Sequence, residues 1–138
     1  MSEQSNISTV QNLFAALNKG DLTAAEADFL HEDVAVHVPG QHPLARKHAG
    51  KQNVLDFYSS VRTQTDEVTF EVEGIAAAGD LVFVELRIQA RRTGDSPAAY
   101  DAHGVNAITF ADGKITEIRQ YTGDQHTLDT YLVSSGTN

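Results

Sequence analysis

From Val68 to Tyr121 the chain alternates apolar and polar residues through four successive segments, and this pattern most limits what it can fold into. Val68, Phe70 and Val72 alternate with Thr69, Glu71 and Glu73. After a turn at Gly79-Asp80, Val82, Val84, Leu86 and Ile88 alternate with Phe83, Glu85, Arg87 and Gln89. A turn from Gly94 to Pro97 leads to a third segment, Tyr100 to Phe110, and Asp112-Gly113, a strong hairpin signal, joins it to Lys114–Tyr121. A period of two sends successive side chains to opposite faces, so each segment reads as a half-buried strand. Four such strands in sequence predict an antiparallel sheet with one face on a core and the other in water.

The first half supplies that core. Ile7, Val10, Leu13, Phe14 and Leu17 recur at helical spacing, with Ser5 or Asn6 as cap and Gly20-Asp21 as the stop. A shorter, alanine-rich helix is expected from Leu22 to about Leu30, closed by His31. A strand, Val34 to Val38, follows. A third helix is expected from about Lys51 to Thr63, burying Val54, Leu55, Phe57, Tyr58 and Val61. Asp124 to Leu132 reads as a short terminal helix, and SSGTN as a disordered tail. The class is α+β, with three N-terminal helices packed on a curved, mainly antiparallel sheet. With 138 residues this is one domain, 1–138, and a chain of that size buries roughly 68% of its unfolded surface without a staple.

Composition removes several function classes. There is no cysteine, hence no thiol catalysis, cysteine-zinc site or disulfide scaffold. Ten Lys plus Arg against nineteen Asp plus Glu leave a net charge of −9, which repels nucleic acid and anionic membranes and favours solubility. No apolar run approaches the ~18 residues of a membrane span. MSEQSNIST lacks a signal peptide's basic start and apolar core, which argues for the cytoplasm. A nucleophile elbow, a P-loop and a dinucleotide glycine fingerprint are all missing, so no cofactor is expected.

The candidate entrance to a site is VAVHVPGQHPLARKHAG, Val34 to Gly50, where an apolar strand meets Pro39-Gly40 and opens into a loop holding His42 and His48, with His37 just before it. Loops on a rigid scaffold are where chemistry concentrates. Three imidazoles so close could hold zinc or nickel, but no HxH or HExxH spacing sets them on one face, so His42 and His48 read as loop or lid residues and no metal is expected. His31 and His103 are expected at a helix end and on the face opposite Asn106, and His126 in the terminal helix. Arg87, Arg91 and Arg92, with Glu85, read as a charged outer face.

The order of elements resembles the nuclear transport factor 2 superfamily, and more narrowly its SnoaL-like and ketosteroid-isomerase-like branch. The carrying segments are LFAALNKGDL, VHVPGQHPLARKHAGKQNVLDFY and ITFADGKITEIRQYTGDQHTLDTYL, within which PGQHPLA and YTGDQ are the most diagnostic. The resemblance implies a cone-shaped roll, an apolar pocket inside it, a homodimer, and no single reaction. His37 resembles the position at which ketosteroid isomerase holds its aspartate base, and imidazole titrates near neutral pH. Asn106, on one face with Ile108 and Phe110, resembles that enzyme's oxyanion donor. Asp124 resembles the acid/base aspartate of SnoaL-like cyclases, and equally suits the N-cap of the terminal helix. Phe14, Phe57, Tyr58 and Tyr121 read as core aromatics lining a pocket, with Tyr58 placed to orient a carbonyl.

These residues together imply a cofactor-independent enzyme that moves a proton beside the carbonyl of a hydrophobic small molecule, by isomerisation or aldol-type cyclisation. The alternative is a non-catalytic ligand-binding or dimerisation module of the same fold. Epoxide hydrolysis or dehydration is a minority reading, since Tyr100-Asp101 and Asp124 do not clearly supply the Asp-Arg-Asp set of limonene-type hydrolases.

Overall fold

The computed structural model describes residues 2–20, 29–41, 44–63, 65–91, 99–123, 125, 128–129 and 131. The elements are α1 (Glu3–Lys19), β1 (Leu30–His37), β2 (Lys47–Ala49), α2 (Lys51–Thr63), β3 (Glu67–Ala78), β4 (Leu81–Arg91), β5 (Ala99–Ala111) and β6 (Lys114–Thr122). They form one six-stranded sheet in the order β2-β1-β6-β5-β4-β3. The β1–β6 pair is parallel and the other pairs are antiparallel. Two helices are delineated among the described residues. The alanine-rich helix expected from Leu22 falls mostly on 21–28, outside them, and Leu30, its expected end, instead opens β1. Within the expected histidine loop, Lys47–Ala49 pairs with β1 as a short edge strand. Among the described residues no helix is long and apolar enough to cross a membrane.

The first helix starts earlier than its apolar periodicity suggests. Ser2, not Ser5 or Asn6, is the cap: its hydroxyl accepts the Ser5 N–H at 3.0 Å, and Glu3 follows at the positive end of the helix dipole. Asn6 is buried inside the helix instead. Gly20 ends the helix in the left-handed region at φ 75°, where a side chain would be strained. Polar bonds hold α1 along the free edge of β3. The Asn18 amide donates to the Phe70 carbonyl and accepts the Phe70 N–H, both at 2.8 Å, which satisfies backbone groups that an edge strand leaves open. At the other end Glu3 accepts the Gly79 N–H at 2.8 Å. Arg62, closing α2, donates to the Leu17 carbonyl at 3.0 Å and ties the two helices together.

One sheet face is packed under these helices. Val82, Val84, Leu86, Ile108, Phe110, Ile115 and Ile118 meet Val10, Leu13, Phe14, Leu17, Val54, Phe57 and Tyr58 in one core. Strict alternation would put Ile115 and Ile118 on opposite faces, yet both are fully buried. The reason is a bulge: Thr109 pairs with Glu117 and Phe110 with Ile115, leaving Thr116 extra. The same device at Glu73 lets Phe70 and Val72 share a face with Ile75 and Ala77.

This bulge has a measurable signature. Ile115→Ala and Ile118→Ala are each expected to cost about 2–5 kcal/mol of unfolding free energy, because both open a core cavity. Chemical denaturation checks this. A cost below about 1 kcal/mol at either position would place it on the wet face and remove the bulge.

Candidate functional site

Between the inner sheet face and the two helices lies a cavity of about 90 Å³. Its walls are Phe14 of α1, Phe57, Tyr58 and Val61 of α2, Val68 and Phe70 of β3, Leu86 and Ile88 of β4, Asn106 of β5 and Gln120 of β6. Leu128 and Tyr131, helical residues beyond β6, line it as well. Tyr131 is anchored by donating its hydroxyl to Thr65 Oγ1 at 2.8 Å, and Tyr100 donates to the Gly123 carbonyl at 3.2 Å. Gln125 donates to Asp129 at 2.7 Å and reaches the Pro39 carbonyl at 3.5 Å. The approach is so close that a Cβ on Gly40 would lie 2.3 Å from both the Asp129 carboxylate and the Gln125 amide.

Two polar groups inside the cavity are unspent. Asn106 is 7% exposed, and its amide makes no hydrogen bond to a described residue. The Tyr58 hydroxyl is fully buried and has no hydrogen-bond partner among the described residues. Burial alone pushes its pKa well above the usual tyrosine value, so the phenol stays neutral and keeps its proton to donate. Gln120 stands across from Asn106 on β6 and adds a second amide to the same wall. Among the described lining residues none is a carboxylate or an imidazole.

The expected site residues divide. Phe14, Phe57, Tyr58 and Asn106 come together around the cavity. Tyr121 borders it but is 58% exposed, because it shares the outer face with Val105, its cross-strand partner. His37 is not brought to Asn106. Val34, Val36 and Val38 take the inward positions of β1, and His37, one residue out of step, pairs with Arg119 on the outer face, 3.7 Å from Glu117. Val38 lines the cavity in its place. His48 is buried behind the pocket, its Nε2 2.9 Å from the Leu44 carbonyl and its ring 4.9 Å from Phe57. His37 and His48 thus lie on opposite faces, so the three-imidazole arrangement weighed from the sequence is not formed. His42 and Asp124 lie outside the described residues, as does His126.

Other charged residues stay outside the cavity. Arg87 holds Asp101 in a two-pronged pair at 3.0 and 2.8 Å, and the guanidinium keeps that carboxyl below the usual carboxylate range. Neither residue lines the cavity. His103 lies on the outer face, 3.0 Å from Glu73. Gln120, Tyr100 and Tyr131 were missed from the sequence. The parity of Ile118 would have shown Gln120 to face inward, whereas nothing local signals that Tyr131 folds back.

Among the described residues, two helices on a six-stranded mixed sheet, with an apolar cavity between them, make this an α+β fold. The chain belongs to the SnoaL-like family, whose domain model matches residues 10–118. A search of the curated proteins found no match. Among solved structures, Bal32a from a soil-derived mobile gene cassette is 22% identical, covering 94% of this chain and 98% of that one, with a TM-score of 0.87. A nuclear transport factor 2-like protein from Burkholderia xenovorans LB400 is 28% identical over 100% and 99%, with a TM-score of 0.75. A SnoaL-like polyketide cyclase, so named on similarity, from Jannaschia sp. CCS1 is 21% identical over 96% and 94%, with a TM-score of 0.79.

An unpaired buried hydroxyl contributes nothing to folding, so removing it should not hurt stability. Tyr58→Phe is expected to leave the melting temperature unchanged or to raise stability by up to about 1 kcal/mol. A loss beyond about 1 kcal/mol in thermal unfolding would show that the hydroxyl has a structural partner.

Proposed function

We propose that the chain is a cofactor-independent enzyme that binds a small, neutral carbonyl compound in the cone and moves a proton at the carbon next to the carbonyl. The observation that carries this reading is the unspent buried hydroxyl of Tyr58, with the Asn106 amide beside it in the wall of an otherwise apolar cavity. Leaving a buried donor unpaired costs about 1–3 kcal/mol, and a ligand oxygen that accepts from it recovers that cost. Both donors are uncharged, which suits a carbonyl oxygen that gains negative charge only as an enolate forms. The base in this reading is Asp124, directly after Gly123 and the last strand, as in the cyclases the chain resembles. His37 is left out because its face is the wrong one. Isomerisation and aldol-type cyclisation are the reactions such a set supports.

The cavity bounds the ligand. At about 90 Å³ it is smaller than a cavity of about 150 Å³ known to hold benzene. A single ring therefore fits only if the cavity widens by about 60 Å³ or more, and a fused polycycle requires the mouth to move. A second reading, a binding module without turnover, is favoured by the lack of any base among the described lining residues. The homodimer is proposed on the outer face, where Phe83 is 43% exposed on β4.

The test is binding and turnover of small cyclic enones and aryl ketones, followed by mass spectrometry. Tyr58→Phe and Asn106→Leu are each expected to weaken binding about tenfold, the loss of one hydrogen bond of about 1.4 kcal/mol. Asp124→Asn is expected to keep binding and to lower turnover by about 10²–10⁴-fold. Ligands that bind and return unchanged would establish the binding module instead. For assembly, Phe83→Asp is expected to convert a dimer to a monomer in light scattering, and an unchanged mass would move the interface elsewhere.

A further inference from the structure

The outer side of the cone's mouth carries a groove of about 320 Å³ between the ends of β1, β2 and β6. Its walls include Arg46, Lys47, His37 and Arg119, with Pro39 and Tyr121 beside them. Three of the chain's ten Lys and Arg residues therefore meet in one groove of a protein whose net charge is −9. Their arrangement is a row. Lys47 pairs with His37, and His37 pairs with Arg119, so the three side chains stand side by side on adjacent strands of one face. Lys47 and Arg119 are thus like charges two strands apart, with one imidazole between them. One carboxylate offsets them: Glu117 is bonded to Arg119 and lies 3.7 Å from His37. Lys47 has no ion pair with a described residue, and the buried His37 Nε2 makes no hydrogen bond to one.

We infer that this groove is a binding site for a single anionic group, a carboxylate or a phosphate. Such a group seated between Lys47 and Arg119 would accept from the ammonium and the guanidinium fork at once, with the His37 ring between them. Its position also matters. Val38, Gln120 and Tyr121 line both this groove and the cone cavity, so the two spaces adjoin. The anion therefore has two sources: a free ion, or the charged tail of a ligand whose neutral carbonyl end sits on Tyr58 and Asn106. Only the second source rests on the proposed function of the cavity.

The test is a titration followed by backbone amide chemical shifts, with inorganic phosphate at constant ionic strength and then with acetophenone and 4-acetylbenzoate. Phosphate is expected to give saturable shifts at His37, Lys47 and Arg119. Lys47→Glu and Arg119→Gln are expected to weaken it tenfold or more, and Lys47→Ala, at an exposed position that keeps the fold, by a smaller factor. Linear, unsaturated shifts, or affinities indifferent to all three variants, would overturn the site. If 4-acetylbenzoate binds at least tenfold tighter than acetophenone and the preference disappears in Lys47→Glu, the anion is the ligand's own tail. Equal binding of the two, with phosphate still saturating, assigns the groove to a free anion. If neither aryl ketone binds while phosphate saturates, the cavity reading fails for such ketones and the groove stands.

Discussion

The whole structure depends on keeping one face of a long, curling sheet apolar. The strands run to thirteen residues in β5, and a sheet of that length bends as it twists. Bulges at Glu73 and Thr116 absorb the bend and shift the alternation by one residue, so the inner face stays apolar through β3 and from Ile115 to Ile118 of β6. The helices then have a surface to cover. The Asn18 amide on the Phe70 backbone and the Arg62 guanidinium on the Leu17 carbonyl fix where they lie.

Within that cavity the economy of polar groups runs opposite to the rest of the molecule. Apart from Asn6 Nδ2 and His37 Nε2, buried groups elsewhere find partners: the Arg62–Leu17 bond, the Tyr131–Thr65 bond and His48 on the Leu44 carbonyl are examples. Tyr58 and Asn106 do not. Local departures from full satisfaction concentrate at functional sites, because a ligand supplies the missing partner. Neither side chain carries a charge, so neither incurs the cost of burying an ion. The charged groups have been moved to the other side of the sheet, where Arg87–Asp101, Arg91–Glu67 and Glu117–Arg119 stand in water.

The fold was mostly legible in the chain and the site only partly. Four alternating segments and a glycine-terminated amphipathic helix announce an α+β roll, and Asn106, Tyr58, Phe57 and Phe14 reach the cavity as their periodicity implies. His37 illustrates the opposite case. Its place before Pro39-Gly40 suggested a catalytic wall, yet the valines at 34, 36 and 38 already claim the inner face of β1, so period two sends His37 outward. The edge strand Lys47–Ala49 was not readable, since three residues carry no period and become a strand only when β1 offers a partner.

What the sequence determined by itself is the set of faces: which residues of each helix and strand are apolar together, where turns fall, and which chemistries are impossible without cysteine or a phosphate loop. Those properties are local, because backbone period and side-chain polarity act within a few residues. Only the tertiary structure decided which faces meet. The parallel pairing of β1 with β6 brought Lys47, His37 and Arg119 into one row although they are 82 positions apart at the extremes, counted as 119 − 37. The bulges chose Gln120 as the inward neighbour of Asn106, and folding back of Tyr131 closed the cavity wall. Register and curvature arise from pairings between distant strands, so no window of the chain contains them.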